Sequence, residues 1–351
     1  MNLLYILLAI LAFGVMIFIH ECGHFLTARL FGVTVKEFSM GMGPRLVSYT
    51  SKKTGIVYKI CALPIGGYVS MEGEDEESSD PNSLGKKPAW QRLSIMATGG
   101  VTNLIFGALV MLLCVSLVAG TALTTPTVAS FPALADGKEA PGYTAGLREG
   151  DRIVSVDGRR VRIGAELDYE IMRRGIAPVT LEIERGGETL FLENFVFPTF
   201  EESGQTLGGR DFYLATEEGS LGAVLRHTLH RSTMTVRMVW ESLFDLITGR
   251  FGLEAVSGPV GVTGAMVETA KTGLENFLYL VAVISLNLGV VNLFPLPALD
   301  GGRIFLLLVS MVIRRPIPEK VEGAIHLAGL ILLFGLMIFI TGKDIVQLFL
   351  R

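Results

Sequence analysis

The chain has 351 residues, half of them apolar, with a mean hydropathy of +0.50 and only 18% charged residues, which is too oily for a soluble domain of this length. A net charge of −4 leaves no basic footprint, and nucleic acid is excluded as a partner. Cys22, Cys61 and Cys114 form no C-x-x-C pair, so no disulfide framework is implied.

A helix rising ~1.5 Å per residue needs roughly 20 apolar residues to cross the hydrocarbon of a bilayer. Four runs meet that length, and the expectation is a polytopic α-helical membrane protein with about four transmembrane helices. The first span, residues 1–32, lacks both the basic n-region and the small-x-small site of a cleaved signal, and reads as retained. It contains Phe18-Ile19-His20-Glu21-Cys22-Gly23-His24-Phe25. Positions four apart on a helix lie about 40° apart, so His20 and His24 present two imidazoles to one point, while Glu21 turns about 100° onto the adjoining face. Two neutral imidazoles suit a tetrahedral zinc ion, and a carboxylate beside them is placed to take a proton from a metal-activated water. H-E-x-x-H also occurs by chance in soluble helices, but ionisable groups inside a lipid-spanning helix are costly unless paired or bound to metal. Gly23 leaves room for close approach. Cys22 lies roughly opposite His20 and is not counted as a ligand.

Residues 33–91 read as a membrane-associated β-region followed by a cytoplasmic loop, with glycine-rich, strand-like sequence from Thr34 to Val69. The acidic run from Glu72 to Asp80 reads as solvated loop. The second span, residues 92–123, carries Gly99-Gly100-Val101-Thr102-Asn103. Residues 124–202 are expected to be a small β-rich domain. Ala145 to Gly158 gives a glycine turn, an alternating strand and an Asp-Gly hairpin signal, and Val179 to Gly187 gives another strand and turn. This stretch resembles bacterial PDZ domains, which implies either a groove where a peptide adds as a strand or a steric filter.

Residues 203–275 read as an amphipathic, juxtamembrane region. From Leu221 to Thr248 it mixes Arg226, His227, His230, Arg231 and Arg237 with apolar residues and Trp240, and the two histidines read as surface residues. The third span, residues 276–302, ends in Asn292-Leu293-Phe294-Pro295-Leu296-Pro297-Ala298-Leu299-Asp300-Gly301-Gly302. Its prolines break a membrane helix, which is tolerated where the break lines a cavity. Asp300 is the candidate third metal ligand, and Asn292 offers an amide to a substrate backbone or an oxyanion. Taken alone, the same string also reads as a chain turn at the membrane edge. A cytoplasmic loop (303–324) and a fourth span (325–351) complete the chain, with His326 at the interface.

Lys and Arg near span ends stay cytoplasmic. Neither occurs before Arg29, whereas Lys36, Arg45, Lys52, Lys53, Lys59, Lys86 and Lys87 follow the first span and Arg303, Arg314, Arg315 and Lys320 follow the third. The expected orientation puts the N-terminus and the region from 124 to 275 outside.

H-E-C-G-H together with N-L-F-P-L-P-A-L-D-G resembles the paired signatures of the site-2 protease family of intramembrane zinc metalloproteases. F-S-M-G-M-G-P at Phe38 to Pro44 and L-P-I-G-G-Y-V at Leu63 to Val69 are similar to its bacterial regulator-of-sigma-E branch. The resemblance covers nearly the whole chain. It implies that His20, His24 and Asp300 bind Zn2+, that Glu21 is the catalytic base, and that Asn292 assists with substrate. It also implies a bacterial cytoplasmic membrane location, and single-span membrane proteins as substrates, such as anti-sigma factors or remnant signal peptides. The G-P-x-x-N string of that family's second span lacks its proline here, leaving Asn103 as the candidate substrate-binding residue. One PDZ domain, where enterobacterial relatives carry two, is closer to Gram-positive relatives. Two other classes fit parts of the sequence. A zinc transporter needs no glutamate base and commonly shows inverted repeats, and a PDZ adaptor with a decayed enzyme would not keep His20, Glu21, His24 and Asp300 intact.

Overall fold

The computed structural model describes residues 3–74, 78–119, 123–133, 139–202, 205–249, 256–315 and 317–350; the middle of the acidic run, residues 75–77, lies outside them. In chain order the elements are helix α1 (Leu3–Leu30), strands β1 (Val35–Thr50) and β2 (Val57–Met71), helix α2 (Ala89–Val118), strand β3 (Thr124–Ser130), helix α3 (Pro141–Thr144), strands β4 (Arg152–Val156) and β5 (Arg159–Arg160), and helix α4 (Gly164–Arg174). There follow strands β6 (Val179–Arg185), β7 (Glu188–Phe195), β8 (Thr199–Glu202), β9 (Gln205–Gly208) and β10 (Tyr213–Thr216), and helices α5 (Leu221–Ile247), α6 (Pro259–Thr272), α7 (Leu274–Leu293), α8 (Asp300–Ile313) and α9 (Glu319–Leu350). The chain divides into two compact units, residues 1–110 with 235–351, and residues 111–234.

In the first unit, β1 and β2 form an antiparallel ribbon that doubles back on itself. Thr50 pairs with Val57 and Val35 with Met71, while Phe38 pairs with both Val69 and Tyr58 across a series of bulges. Phe38, Val69 and Met71 share a buried cluster with Ala28 of α1 and Ile95 of α2. Rings meet edge to face between ribbon and helix, with Phe38 centred 5.9 Å from Phe18 and 5.3 Å from Phe25.

The seams of α2 are built differently. A Cβ added at Gly23 of α1 would fall 2.6 Å from the Thr98 carbonyl oxygen, and one at Gly100 would fall 2.9 Å from the carbonyl oxygen of Gly289 in α7. The helices therefore approach closely enough for each glycine to meet a neighbouring carbonyl, beside Thr102 Oγ1 at Gly23 and Leu293 Cγ at Gly100, as small residues permit in membrane helix packing. Among the described residues, four helices are long and apolar enough to cross a membrane: Leu3–Leu30, Ala89–Val118, Leu274–Leu293 and Lys320–Val346.

The third span departs from its expected bounds. Helix α7 stops at Leu293, where Pro295 and Pro297 can supply no amide donors, and a separate helix starts at Asp300. Helix α8 then occupies residues expected as loop, because Phe305 to Val309 is an apolar run whose Leu307 is buried. A Cβ at Gly301 would lie 2.0 Å from the Phe294 carbonyl oxygen and one at Gly302 2.4 Å from that of Leu296, so the returning chain fits the break only as glycine. Asp344 of α9 accepts hydrogen bonds from the amides of Gly258 (2.9 Å) and Gly261 (2.8 Å), which satisfies donors that the start of α6 cannot pair internally.

The second unit is a β-rich body. Its sheet runs β10-β3-β4-β6-β7 with β5 hairpinned onto β4. The expected Asp-Gly turn is present, with Asp157 at φ 48° and Gly158 at φ 73°. Inward positions of β4 and β6 (Ile153, Val156, Leu181, Ile183) pack with Leu167 and Ile171 of α4 in a fully buried core. Asp151, also fully buried, takes a bidentate pair from Arg185 at 2.6 and 2.7 Å. The sheet extends past residue 202, because Leu214 of β10 pairs with Val128; four residues are too few to show an alternation in sequence.

The surface reading of His227 is corrected. The residue is 1% exposed and its Nε2 lies 2.7 Å from Glu217 Oε1, while His230 Nδ1 lies 3.3 Å from Glu166 Oε1. Burial pushes His227 below the usual histidine range against the pull of Glu217. Burial also raises the Glu217 carboxyl, but its bonds to Arg226 and His227 outweigh that and hold it low.

Candidate metal centre

His20 and His24 stand one turn apart on α1, and Asp300 is the first residue of α8, so most of the chain lies between the carboxylate and the two histidines. Their ligand atoms converge. Nε2 of His20 and Nε2 of His24 are 3.3 Å apart, and Asp300 Oδ2 lies 3.3 Å from the first and 3.2 Å from the second. All three are polar atoms with few other options: His24 is 8% exposed and Asp300 Oδ2 is buried without a hydrogen-bond partner.

Hydrogen bonding fixes what each atom presents. His24 Nδ1 is 2.8 Å from the Ile95 carbonyl oxygen, which only accepts, so Nδ1 carries the ring proton and a neutral His24 turns the lone pair of Nε2 to the cluster. A neutral His24 therefore directs its Nε2 lone pair at the Asp300 carboxylate oxygen, a contact that is repulsive unless a proton or a metal cation lies between them. Ligands about 2.0–2.1 Å from a tetrahedral ion are about 3.3–3.4 Å apart, and the three separations match that edge. The residues fit a zinc ion.

The surroundings are shaped to the cluster. A Cβ at Gly99 of α2 would lie 2.2 Å from His24 Nε2 and 2.7 Å from His20 Cε1, so α2 meets both imidazoles as bare backbone. Glu21, 8% exposed, follows His20 on α1, and a Cβ at Gly67 of β2 would come 2.9 Å from its Cγ, so the ribbon passes directly against this carboxylate. Asn103, 1% exposed, places its Nδ2 3.4 Å from His20 Nδ1. Asn292 stands in the last turn of α7, upstream of the proline break that leads to Asp300. Cys22 packs with the apolar cluster between α1 and the ribbon and stays outside the ligand set. The structure thus brings together His20, His24, Asp300 and Asn103, with Glu21 adjacent. Sequence reasoning missed Gly99, Gly67 and the Ile95 carbonyl. A glycine pair within a span was a signal for the first; a backbone acceptor leaves no signal.

Two histidines on an apolar, membrane-length helix and a carboxylate at the start of α8 converge as a group able to hold a metal ion, which defines a candidate membrane metalloprotein. Comparison with known proteins narrows it. The Peptidase family M50 model matches residues 8–336. A Clostridium perfringens chain provisionally named a zinc metalloprotease is 35% identical over 344 residues, 98% of this chain and 99% of its own. The regulator of sigma-W protease RasP of Bacillus subtilis is 29% identical over 425 residues, covering 97% of this chain and 98% of that protein. The zinc metalloprotease RasP of Geobacillus kaustophilus is 28% identical over 423 residues, with 97% of each chain covered. The chain belongs to peptidase family M50, the site-2 proteases, and is a multi-pass membrane zinc metalloprotease of regulated intramembrane proteolysis.

Proposed function

We propose that this protein is an endopeptidase that hydrolyses peptide bonds within or beside the transmembrane segments of single-span membrane proteins, with His20, His24 and Asp300 as its zinc ligands and Glu21 as its general base. The observation that carries this reading is the mutual 3.2–3.3 Å spacing of the three ligand atoms. Zinc supplies Lewis acidity, which acidifies water and polarises a peptide carbonyl. Glu21 takes the proton of the attacking water and returns it to the departing amide nitrogen. Asn292 donates its amide N–H groups to the substrate backbone or to the charge that develops on the carbonyl oxygen.

A transmembrane helix hides its scissile amide in its own hydrogen bonds, so the substrate must be unwound before attack. The contact of Gly67 with Glu21 supports the ribbon as the place where this happens, the extended substrate adding as a strand beside the base. Residues 124–202 are proposed as a PDZ-like domain on the extracytoplasmic side of the bacterial cytoplasmic membrane, binding a peptide or filtering by size. The pairing of β10 with β3 supports extending its boundary to Thr216. Anti-sigma factors are the favoured substrate class, in keeping with the name of the B. subtilis relative.

The test is cleavage of a co-expressed single-span protein by wild type and Glu21→Gln, with and without a zinc chelator. Product from wild type alone, abolished by chelation while Glu21→Gln retains its zinc, is the expected result. Equal product from both forms would assign the cut to another protease.

A further inference from the structure

We infer that Asn103 is a positioning residue for the metal centre, accepting through Oδ1 the ring proton of His20 and so holding the Nε2 lone pair of that histidine on the ion. The inference rests on the zinc-ligand reading above. It starts from a mismatch of donors. His20 faces Asp300 and His24 through Nε2, so a neutral ring that ligates there carries its proton on Nδ1. Asn103 Nδ2 lies 3.4 Å from that Nδ1, and two N–H donors cannot bond each other. At the other end of the same amide, Oδ1 is buried with no hydrogen-bond partner. Turning the amide end for end exchanges two nearly isosteric atoms and resolves the clash, because Oδ1 then accepts from Nδ1–H.

The backbone is braced for this task. Asn103 is 1% exposed, and its carbonyl oxygen accepts a 2.8 Å hydrogen bond from Ser285 Oγ of α7, itself fully buried. The preceding residue, Thr102, donates from Oγ1 to the Ile19 carbonyl at 3.1 Å, one residue before His20. The two ligating histidines thus have matched supports, both from α2: the Ile95 carbonyl takes the Nδ1 proton of His24, and the Asn103 carboxamide takes that of His20. Outer partners of this kind fix the tautomer and ring angle of a ligand, and their loss costs about 10–100-fold in metal affinity.

The experiment titrates zinc out of the detergent-solubilised full chain with a chromophoric chelator, for wild type, Asn103→Leu, Asn103→Asp and His20→Ala, and records the visible spectrum of each form loaded with Co2+. Asn103→Leu is expected to weaken zinc by about 10–100-fold and to shift the cobalt bands, whereas Asn103→Asp, which keeps an acceptor oxygen, stays within about threefold of wild type. Unchanged zinc affinity in Asn103→Leu with a raised KM would overturn the inference in favour of substrate binding. Equal losses in the Leu and Asp variants would overturn it in favour of packing. Zinc bound by His20→Ala as tightly as by wild type would instead break the ligand assignment itself.

Discussion

Replacing Gly99 by Ala tests whether the metal centre depends on bare backbone. By helix propensity alone the change stabilises α2, since Gly costs about 1 kcal/mol relative to Ala inside a helix. The structure gives the opposite sign for metal binding. The new methyl would sit 2.2 Å from His24 Nε2, whereas ordinary contact begins at 3.4 Å. The imidazole or the helix must yield by several times the displacement of about 0.2 Å that a metal site tolerates in its ligands. Moving α2 away is no remedy, because Gly100 on the same turn is held against Gly289. His24 is therefore expected to leave the ligand set, weakening zinc by at least about 100-fold, or ~2.7 kcal/mol. Metal content of the purified chain by mass spectrometry, beside a thermal melt, separates metal loss from unfolding. A Gly99→Ala protein that keeps one zinc per chain and full cleavage would refute the reasoning.

Asp300→Ala removes the one proposed ligand supplied from outside α1 and is expected to abolish zinc retention, read by the same metal analysis. Asp344→Ala strands the amides of Gly258 and Gly261 and should destabilise the chain by about 1–3 kcal/mol in an unfolding titration, leaving zinc affinity unchanged. In the second unit, burial lowers the His227 pKa in the folded state, so its contribution to stability is present above the unfolded histidine value of about 6.5 and is lost as pH falls below it. Melting temperature should drop between pH 7 and 5 in wild type, and His227→Gln should flatten that slope.

The convergence of His20, His24 and Asp300 was legible because their chemistry is anomalous for their setting: a histidine pair in a lipid-length helix, and a carboxylate after a proline-broken span. The β-rich unit was legible where turns need special backbone, as at Asp157-Gly158. Helix α8 was not, since a short segment following an arginine-flanked break looks like a loop until the break is seen to reset the chain. His227 was misread for a related reason. An amphipathic pattern says which residues share a face of α5 but not what covers that face, and here Glu217 and the helix's own polar side pair inward. Asn103 stood in the sequence as the remnant of a motif, and only its 3.4 Å approach to His20 shows what it faces.

The two flanks of α1 differ in how they can part. On one, Gly23 rests on the backbone of α2, and any slide drives main chain into main chain. On the other, Phe18 and Phe25 meet Phe38, and Phe25 meets Tyr58, through rings centred 5.3 to 6.2 Å apart. A ring has χ rotamers to move between where its packing gives way, while a carbonyl in a helix has none. The first flank is a doorpost and the second a row of shutters. Under the proposed function, the ring-lined side is the one that can yield to a peptide while the histidines stay still.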